Sequence, residues 1–184
     1  ICRFMQKASL EKADIIHFPE CALSGYVGTD FASFDGFDWK LLAKETENIM
    51  SLAEKLGLWV ILGSSHRLTE PNKPHNSLYL ISPEGKIADR YDKRFCTAPD
   101  LKRFTPGNHF THFTINGVKC SLLICFDLRF PELYRQLYRQ KVKCVFQSFY
   151  NARQNGPSVH TYIMRQTMQA NAASNGLWVS MSNP

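Results

Sequence analysis

The sequence lacks the features that mark several specialised classes of protein. Its six cysteines include no C-x-x-C pair and are too sparse for a small disulfide scaffold. No apolar stretch is long enough to span a membrane, and the net charge of +6 comes from scattered basic residues without a nucleic-acid motif. We therefore expect a protein of a reducing compartment, located in the cytoplasm, with neither a membrane nor a nucleic acid as its partner.

Metal ligands are also sparse. The six histidines contain one closely spaced pair, His109 and His112, and no third ligand lies at a suitable spacing from it. The sequence therefore predicts no metal site.

What remains has the composition of an ordinary globular protein, with 44% apolar and 21% charged residues among 184. Strand and helix patterns alternate without a low-complexity linker, which favours one α/β domain over residues 1–184. Hairpin signals interrupt the helix crossovers, so a layered sandwich is favoured over a purely parallel sheet. The predicted strands are 13–18, 58–63, 77–81, 86–91, 110–114, 118–126, 142–147 and 177–182, and the predicted helices are 2–12, 40–56, 131–140 and 157–174.

Cys125 has the most informative position in the chain. It lies at the end of a run that is apolar on both faces, as expected of a buried strand, and Pro131 then opens a helical segment. A cysteine presented between a strand and a helix can face a pocket, with backbone N–H groups nearby to stabilise negative charge. A lone buried cysteine is more often a small hydrophobic residue, so the position alone does not establish chemistry.

Two charged residues occupy similar positions. Glu20 follows the predicted strand 13–18, where a carboxylate beside apolar residues suits a general base. Lys93 lies just after the predicted strand 86–91 and could stabilise an oxyanion. Considered alone, Glu20 is more simply interpreted as a loop carboxylate in solvent, and Lys93 as a surface lysine.

Three segments together resemble the nitrilase superfamily of carbon–nitrogen hydrolases. They are Phe-Pro-Glu-x-x-Leu-Ser-Gly-Tyr, Tyr-Asp-Lys-Arg and Leu-Ile-Cys-Phe-Asp-Leu-Arg-Phe-Pro-Glu, in this order, and successive members of Glu20, Lys93 and Cys125 lie 73 and 32 residues apart. The resemblance implies a four-layer α-β-β-α sandwich, expected here to be incomplete at both ends, without the first strand and the C-terminal elements. It also implies that Cys125 is the nucleophile, Glu20 the general base and Lys93 the oxyanion stabiliser, with no metal or organic cofactor.

Relatives often carry a second active-site glutamate six residues before the proline of a Pro-Gly pair. Pro106 and Gly107 put Asp100 at that place, which makes Asp100 a possible auxiliary residue. Aspartate is one methylene shorter than glutamate, so either the backbone compensates or the role is weakened.

The resemblance implies hydrolysis of a small amide, nitrile or carbamoyl compound through a thioester, and homodimers or larger homo-oligomers. Candidate substrate-binding loops are 21–38, 94–108 and 148–157, with Tyr26, Phe126 and Asn151 as candidate binding residues. Two other functions stay open: an inactive family member that serves in binding or assembly, and an acyltransferase that uses the same thioester.

Overall fold

The computed structural model describes residues 1–151 and 159–184. The chain forms helices and strands in an alternating order that matches the sequence prediction. The helices are α1 (Cys2–Leu10), α2 (Trp39–Leu56), α3 (Ala98–Leu101), α4 (Pro131–Arg139) and α5 (Val159–Asn175). The strands are β1 (Ile15–His17), β2 (Trp59–His66), β3 (His75–Ile81), β4 (Ile87–Asp92), β5 (His112–Ile115), β6 (Val118–Ile124), β7 (Cys144–Ser148) and β8 (Trp178–Ser182).

The strands form two four-stranded sheets. The first has the order β1-β2-β3-β4, in which β1 and β2 are parallel and the other pairs are antiparallel. The second has the order β5-β6-β7-β8, in which β5 and β6 are antiparallel and β6, β7 and β8 are parallel. The carboxyl ends of β1 and β4 therefore lie at one end of the first sheet, and those of β6 and β7 at one end of the second.

Alternating side chains bury both faces of the first sheet. Val60 and Leu62 of β2 pack against α1 and α2, whereas Ile61 between them packs with residues of the second sheet. Each such fully buried side chain contributes about 2 kcal/mol relative to exposure. The second sheet is covered on its other face by α4 and α5, through residues such as Leu137 and Met168. These four layers confirm the predicted α-β-β-α sandwich.

The element boundaries show where local signals were sufficient. Asn116 and Gly117, both with positive φ (49° and 78°), form the predicted hairpin turn between β5 and β6. The strand predicted to end at residue 126 stops at Ile124, because Cys125–Arg129 forms a 3₁₀ turn. The helix α3 was not predicted, and the predicted start of the last helix at residue 157 lies outside the described residues.

Within the described part of the chain, none of the helices is both long enough and apolar enough to cross a membrane.

Candidate active site

Glu20, Lys93 and Cys125 lie just beyond the carboxyl ends of β1, β4 and β6. The two sheets meet there, since the Glu20 N–H donates to the carbonyl oxygen of Phe149 (3.2 Å), directly after β7. Gly63 of β2 permits this arrangement, because a Cβ at that position would lie 2.0 Å from the carbonyl oxygen of Pro19. The topology therefore brings together residues that are far apart in the sequence.

Lys93 lies between two carboxylates. Its Nζ donates to Glu20 Oε1 at 2.9 Å and to Asp100 Oδ2 at 3.0 Å, and all three side chains are at least 98% buried. Burial alone would lower the pKa of Lys93, but the charge of Glu20, followed by those of other neighbours, raises this pKa well above its ordinary value. Burial would raise the pKa of Asp100, but the Lys93 ammonium and hydrogen bonds lower it. Both partners of the Lys93–Asp100 pair are therefore charged.

The short side chain of Asp100 reaches Lys93 because α3 carries its backbone toward the site. Thr97 caps this helix: its Oγ1 accepts from Asp100 N (3.2 Å), and the Thr97 N–H donates to Asp100 Oδ2 (3.2 Å). Pro99 in the first turn suits the start of a helix. The sequence left two possibilities for the shorter aspartate, a compensating backbone or a weakened role. The position of α3 matches the first of them.

The two oxygens of Glu20 have different surroundings. Oε1 accepts from Lys93 Nζ and from Asn76 Nδ2, the latter at 2.7 Å. Oε2 is buried and has no hydrogen-bond partner among the described residues, and Glu20 lies close enough to Cys125 to raise the pKa of its thiol. The carboxylate is thus held through one oxygen while the other remains available to accept a proton.

Asn76 was missed by the sequence analysis. Besides the bond from its side chain to Glu20, its backbone carbonyl oxygen accepts from the backbone N–H of Lys93 at 2.8 Å. Asn76 therefore connects Glu20 to Lys93. It is fully buried in β3. Asn76 stands between His75 and Ser77 in a polar stretch at the start of β3, which gives no sequence signal that distinguishes this role from a solvent-facing position.

Cys125 begins the 3₁₀ turn with φ +40°, a left-handed conformation that is uncommon outside glycine. Its side chain is partly exposed. Burial, followed by the negative charge of Glu20, raises the pKa of the Cys125 thiol, and Lys93 and the Tyr150 backbone oppose this shift. The sulfur is therefore a neutral thiol at neutral pH and needs a base to become a nucleophile.

Asp127 orders the turn that carries Cys125. Its carboxylate accepts from Ile124 N (2.9 Å), from Phe95 N (2.9 Å) and from the Tyr91 hydroxyl (2.8 Å). The side chain is fully buried, and burial raises the pKa of Asp127 to about 6 in spite of these donors. Donors from two segments, β4 with the loop after it and the end of β6, therefore converge on one carboxylate close to Cys125.

Replacing Asp127 with asparagine should destabilise this turn, because an amide N–H₂ would face a backbone N–H. In the wild type, the raised pKa of Asp127 makes the folded state bind more protons, so its contribution to stability is present below about pH 4 and is lost as the pH rises to about 6. Over this pH range, Asp127 should lower the free energy of unfolding of the wild type by about 3 kcal/mol, and this change should be absent from Asp127→Asn. Urea unfolding across pH 4–7 measures it, with the exposed Asp14→Asn as the control; identical pH profiles of the two variants would contradict the assignment.

The three candidate binding residues differ in their contacts. The Tyr26 hydroxyl donates to Asp100 Oδ1 at 2.5 Å, which brings this residue to the site. Phe126 follows Cys125 directly and packs edge-on against Phe130, at 5.5 Å between ring centroids. Asn151 contacts Asn183 near the end of the chain, through its N–H at 3.0 Å. Most of the predicted loop 148–157 lies outside the described residues.

In residues 1–151 and 159–184, no three or more His, Cys, Asp or Glu side chains are grouped so that they could hold a metal ion. Of the pair singled out in the sequence, His109 Nε2 contacts the carbonyl oxygen of Arg90 at 3.0 Å.

Comparison with known proteins identifies the relatives of this chain. It is 31% identical over 170 residues to an (R)-stereoselective amidase of Pseudomonas sp, covering 92% of this chain and 58% of that protein. It is 26% identical to an omega-amidase of Mus musculus, covering 100% of this chain and 67% of that protein. An amidase from Nesterenkonia sp. has the same fold, with a TM-score of 0.83 at 20% identity over 99% of this chain and 67% of that chain. The chain thus spans about three fifths to two thirds of the length of these relatives.

The sequence model of the carbon–nitrogen hydrolase family matches residues 2–184. This match covers nearly the whole chain, including the three segments on which the sequence prediction rested. The chain therefore belongs to the carbon–nitrogen hydrolase family.

Proposed function

We propose that this chain hydrolyses the carbon–nitrogen bond of a small, non-peptide amide through a thioester on Cys125. One observation carries the proposal: a buried lysine is held by two carboxylates beside a neutral thiol at the carboxyl ends of the strands. Such an arrangement supplies a base, a fixed positive charge and a nucleophile in one place.

In the proposed reaction, Glu20 Oε2 takes the thiol proton and the Cys125 sulfur attacks the amide carbonyl carbon. The carbonyl oxygen becomes an oxyanion, which the Lys93 ammonium and a backbone N–H near Phe126 stabilise. The C–N bond breaks as the protonated Glu20 gives its proton to the nitrogen, and ammonia or an amine leaves. Glu20 then takes a proton from water, whose oxygen attacks the thioester and releases the carboxylic acid and the thiol.

An amide is the favoured substrate, with a nitrile or a carbamoyl compound as the alternative. The relatives named above are amidases. The Nesterenkonia amidase has been observed with butyramide in a cysteine-to-alanine variant, and with the acetamide moiety of fluoroacetamide added covalently to its active-site cysteine in a glutamate variant. We propose that Phe126 and Asn151 shape the space for the acyl group.

A panel of short aliphatic and aromatic amides, with the matching nitriles, tests the proposal. We expect ammonia release from at least one amide, and a covalent acyl adduct on the peptide that contains Cys125 when the reaction is quenched and analysed by mass spectrometry. Turnover without any adduct on Cys125, or adducts spread equally over the six cysteines, would contradict the mechanism.

The same experiment separates the alternative functions. An acyltransferase would give the amide or ester of an added amine or alcohol in preference to the acid. A binding or assembly protein would give neither ammonia nor an adduct on Cys125.

Self-association and a cytoplasmic location complete the proposal. Trp178 is 79% exposed, and we propose that a second copy covers this apolar surface. All six cysteines lie in the described residues and no disulfide joins them, as suits a reducing compartment. Size-exclusion chromatography with light scattering would measure the oligomeric state.

A further inference from the structure

We propose that Tyr26 is a positioning residue, which holds Asp100 and through it the Lys93 ammonium, rather than a residue that binds substrate. This inference rests on the proposed hydrolysis at Cys125 and assigns a role that the sequence segments did not indicate.

The hydrogen bonds around Asp100 divide its two oxygens. Oδ1 accepts from the Tyr26 hydroxyl at 2.5 Å, and Oδ2 accepts from Lys93 Nζ at 3.0 Å. Oδ2 also accepts from the Thr97 N–H at 3.2 Å. Among the described residues, Tyr26 is the one side-chain donor to Oδ1. Its hydrogen bond therefore sets the rotation of the Asp100 carboxylate about the Cβ–Cγ bond. The position of the lysine partner, Oδ2, follows from that rotation.

The direction of the Tyr26 bond is fixed by charge. Burial, followed by nearby carboxylates, raises the pKa of the Tyr26 hydroxyl, so the phenol keeps its proton. The hydrogen bond from Tyr26 is also one of the causes that lower the pKa of Asp100. The charged groups that act on this pair are Lys93 and Glu20. Asp100 in turn raises the pKa of the neighbouring thiols of Cys21 and Cys96.

Tyr26 is itself held on three sides. Its ring stacks on that of Tyr150, at 4.8 Å between centroids and 25° between planes, and it packs edge-on against Phe104 at 6.3 Å. Its backbone N–H donates to Asp30 Oδ2 at 2.8 Å, and the Tyr150 hydroxyl donates to the same oxygen at 2.8 Å. A rigid tyrosine of this kind can fix the position of a neighbouring carboxylate.

The need for such an anchor follows from the aspartate. The capping bond from Thr97 and the bond to Lys93 both fall on Oδ2, so Oδ1 depends on Tyr26 for its side-chain donor among the described residues. Lys93 has to face the developing oxyanion, and an ammonium displaced by a fraction of an ångström loses much of its stabilising effect. The Tyr26 hydroxyl therefore acts on the reaction without contacting the substrate.

The variant Tyr26→Phe tests this role, because it removes the hydroxyl and keeps the stacked ring. Tyr79→Phe is the matched control: it removes a buried hydroxyl that contacts His66 Nδ1 at 2.7 Å, away from the site. With an amide substrate, we expect kcat of Tyr26→Phe to fall about tenfold or more while KM stays within about twofold, since loss of a hydrogen bond to a charged group carries this effect. The control should retain both constants.

A second readout does not need turnover. With aspartate carboxyl carbons labelled with ¹³C and the Asp100 signal assigned by Asp100→Asn, the NMR titration of Asp100 should move to higher pH in Tyr26→Phe and stay unchanged in Tyr79→Phe. If the wild type hydrolyses no amide but this shift occurs, the proposed function fails while the anchor stands. If Asp100 titrates identically in Tyr26→Phe and the wild type, or if KM alone rises, the positioning role is wrong.

Discussion

Replacing Cys125 with alanine is expected to reduce amide turnover by at least about four orders of magnitude, to the background rate. The proposed reaction passes through a bond to the Cys125 sulfur, and no other side chain in the site offers a nucleophile of this kind at the carboxyl end of β6. Alanine accepts the positive φ of this position as well as cysteine does, so the fold should persist. Ammonia release, with unfolding followed by circular dichroism, measures both quantities.

Cys120→Ala is the matched control for this prediction. Cys120 is 3% exposed and lies in the amino-terminal half of β6, away from the carboxyl end that precedes Cys125. Its replacement should leave turnover within about twofold while lowering the stability slightly through the lost burial. Equal losses of activity in Cys120→Ala and Cys125→Ala would point to damage to the second sheet rather than to loss of a nucleophile.

The sequence was informative where the signal is local. A continuous apolar run marks β2 and β6, and a residue that follows such a run lies at the end of a sheet. Cys125 could therefore be selected as a candidate from its position. Lys93 follows the mostly polar strand Ile87–Asp92 and was selected, like Glu20, from the three segments together. The hairpin at Asn116 and Gly117 follows from the same kind of local rule, since both residues tolerate positive φ.

The supporting contacts could not be predicted, because they join residues with no sequence relation. Asn76 reaches Glu20 across 56 residues, and Tyr26 reaches Asp100 across 74. Asp127 lies within the third of the quoted segments, but its place in the sequence does not reveal that it binds donors from two parts of the chain, at Phe95 and Ile124. Such partnerships depend on how the sheets pack, and a polar residue in the sequence does not reveal whether its partner is water or a buried group.

Lys93→Met is expected to give the second largest effect. Methionine keeps most of the volume of lysine but removes the charge, so the oxyanion loses its cation and turnover should fall by about three orders of magnitude. Glu20 and Asp100 would then face each other without a cation in a buried site, at a cost of about 3–5 kcal/mol in the free energy of unfolding. Urea unfolding and amide turnover measure the two effects, with the exposed Lys44→Met as the control.

The pH dependence of the Lys93→Met effect distinguishes lost charge from lost packing. In the wild type, Lys93 lowers the pKa of Asp100, so this group stabilises the fold above the ordinary pKa of an aspartate and that stability is lost as the pH falls. Without the lysine, burial raises the pKa of Asp100, the folded variant binds protons before the unfolded chain does, and its stability increases as the pH falls. The difference in unfolding free energy between variant and wild type should therefore narrow in acid. Adding Asp100→Asn should restore part of the stability at neutral pH without restoring turnover, whereas a difference that stays constant with pH would mean that packing, not charge, holds this site together.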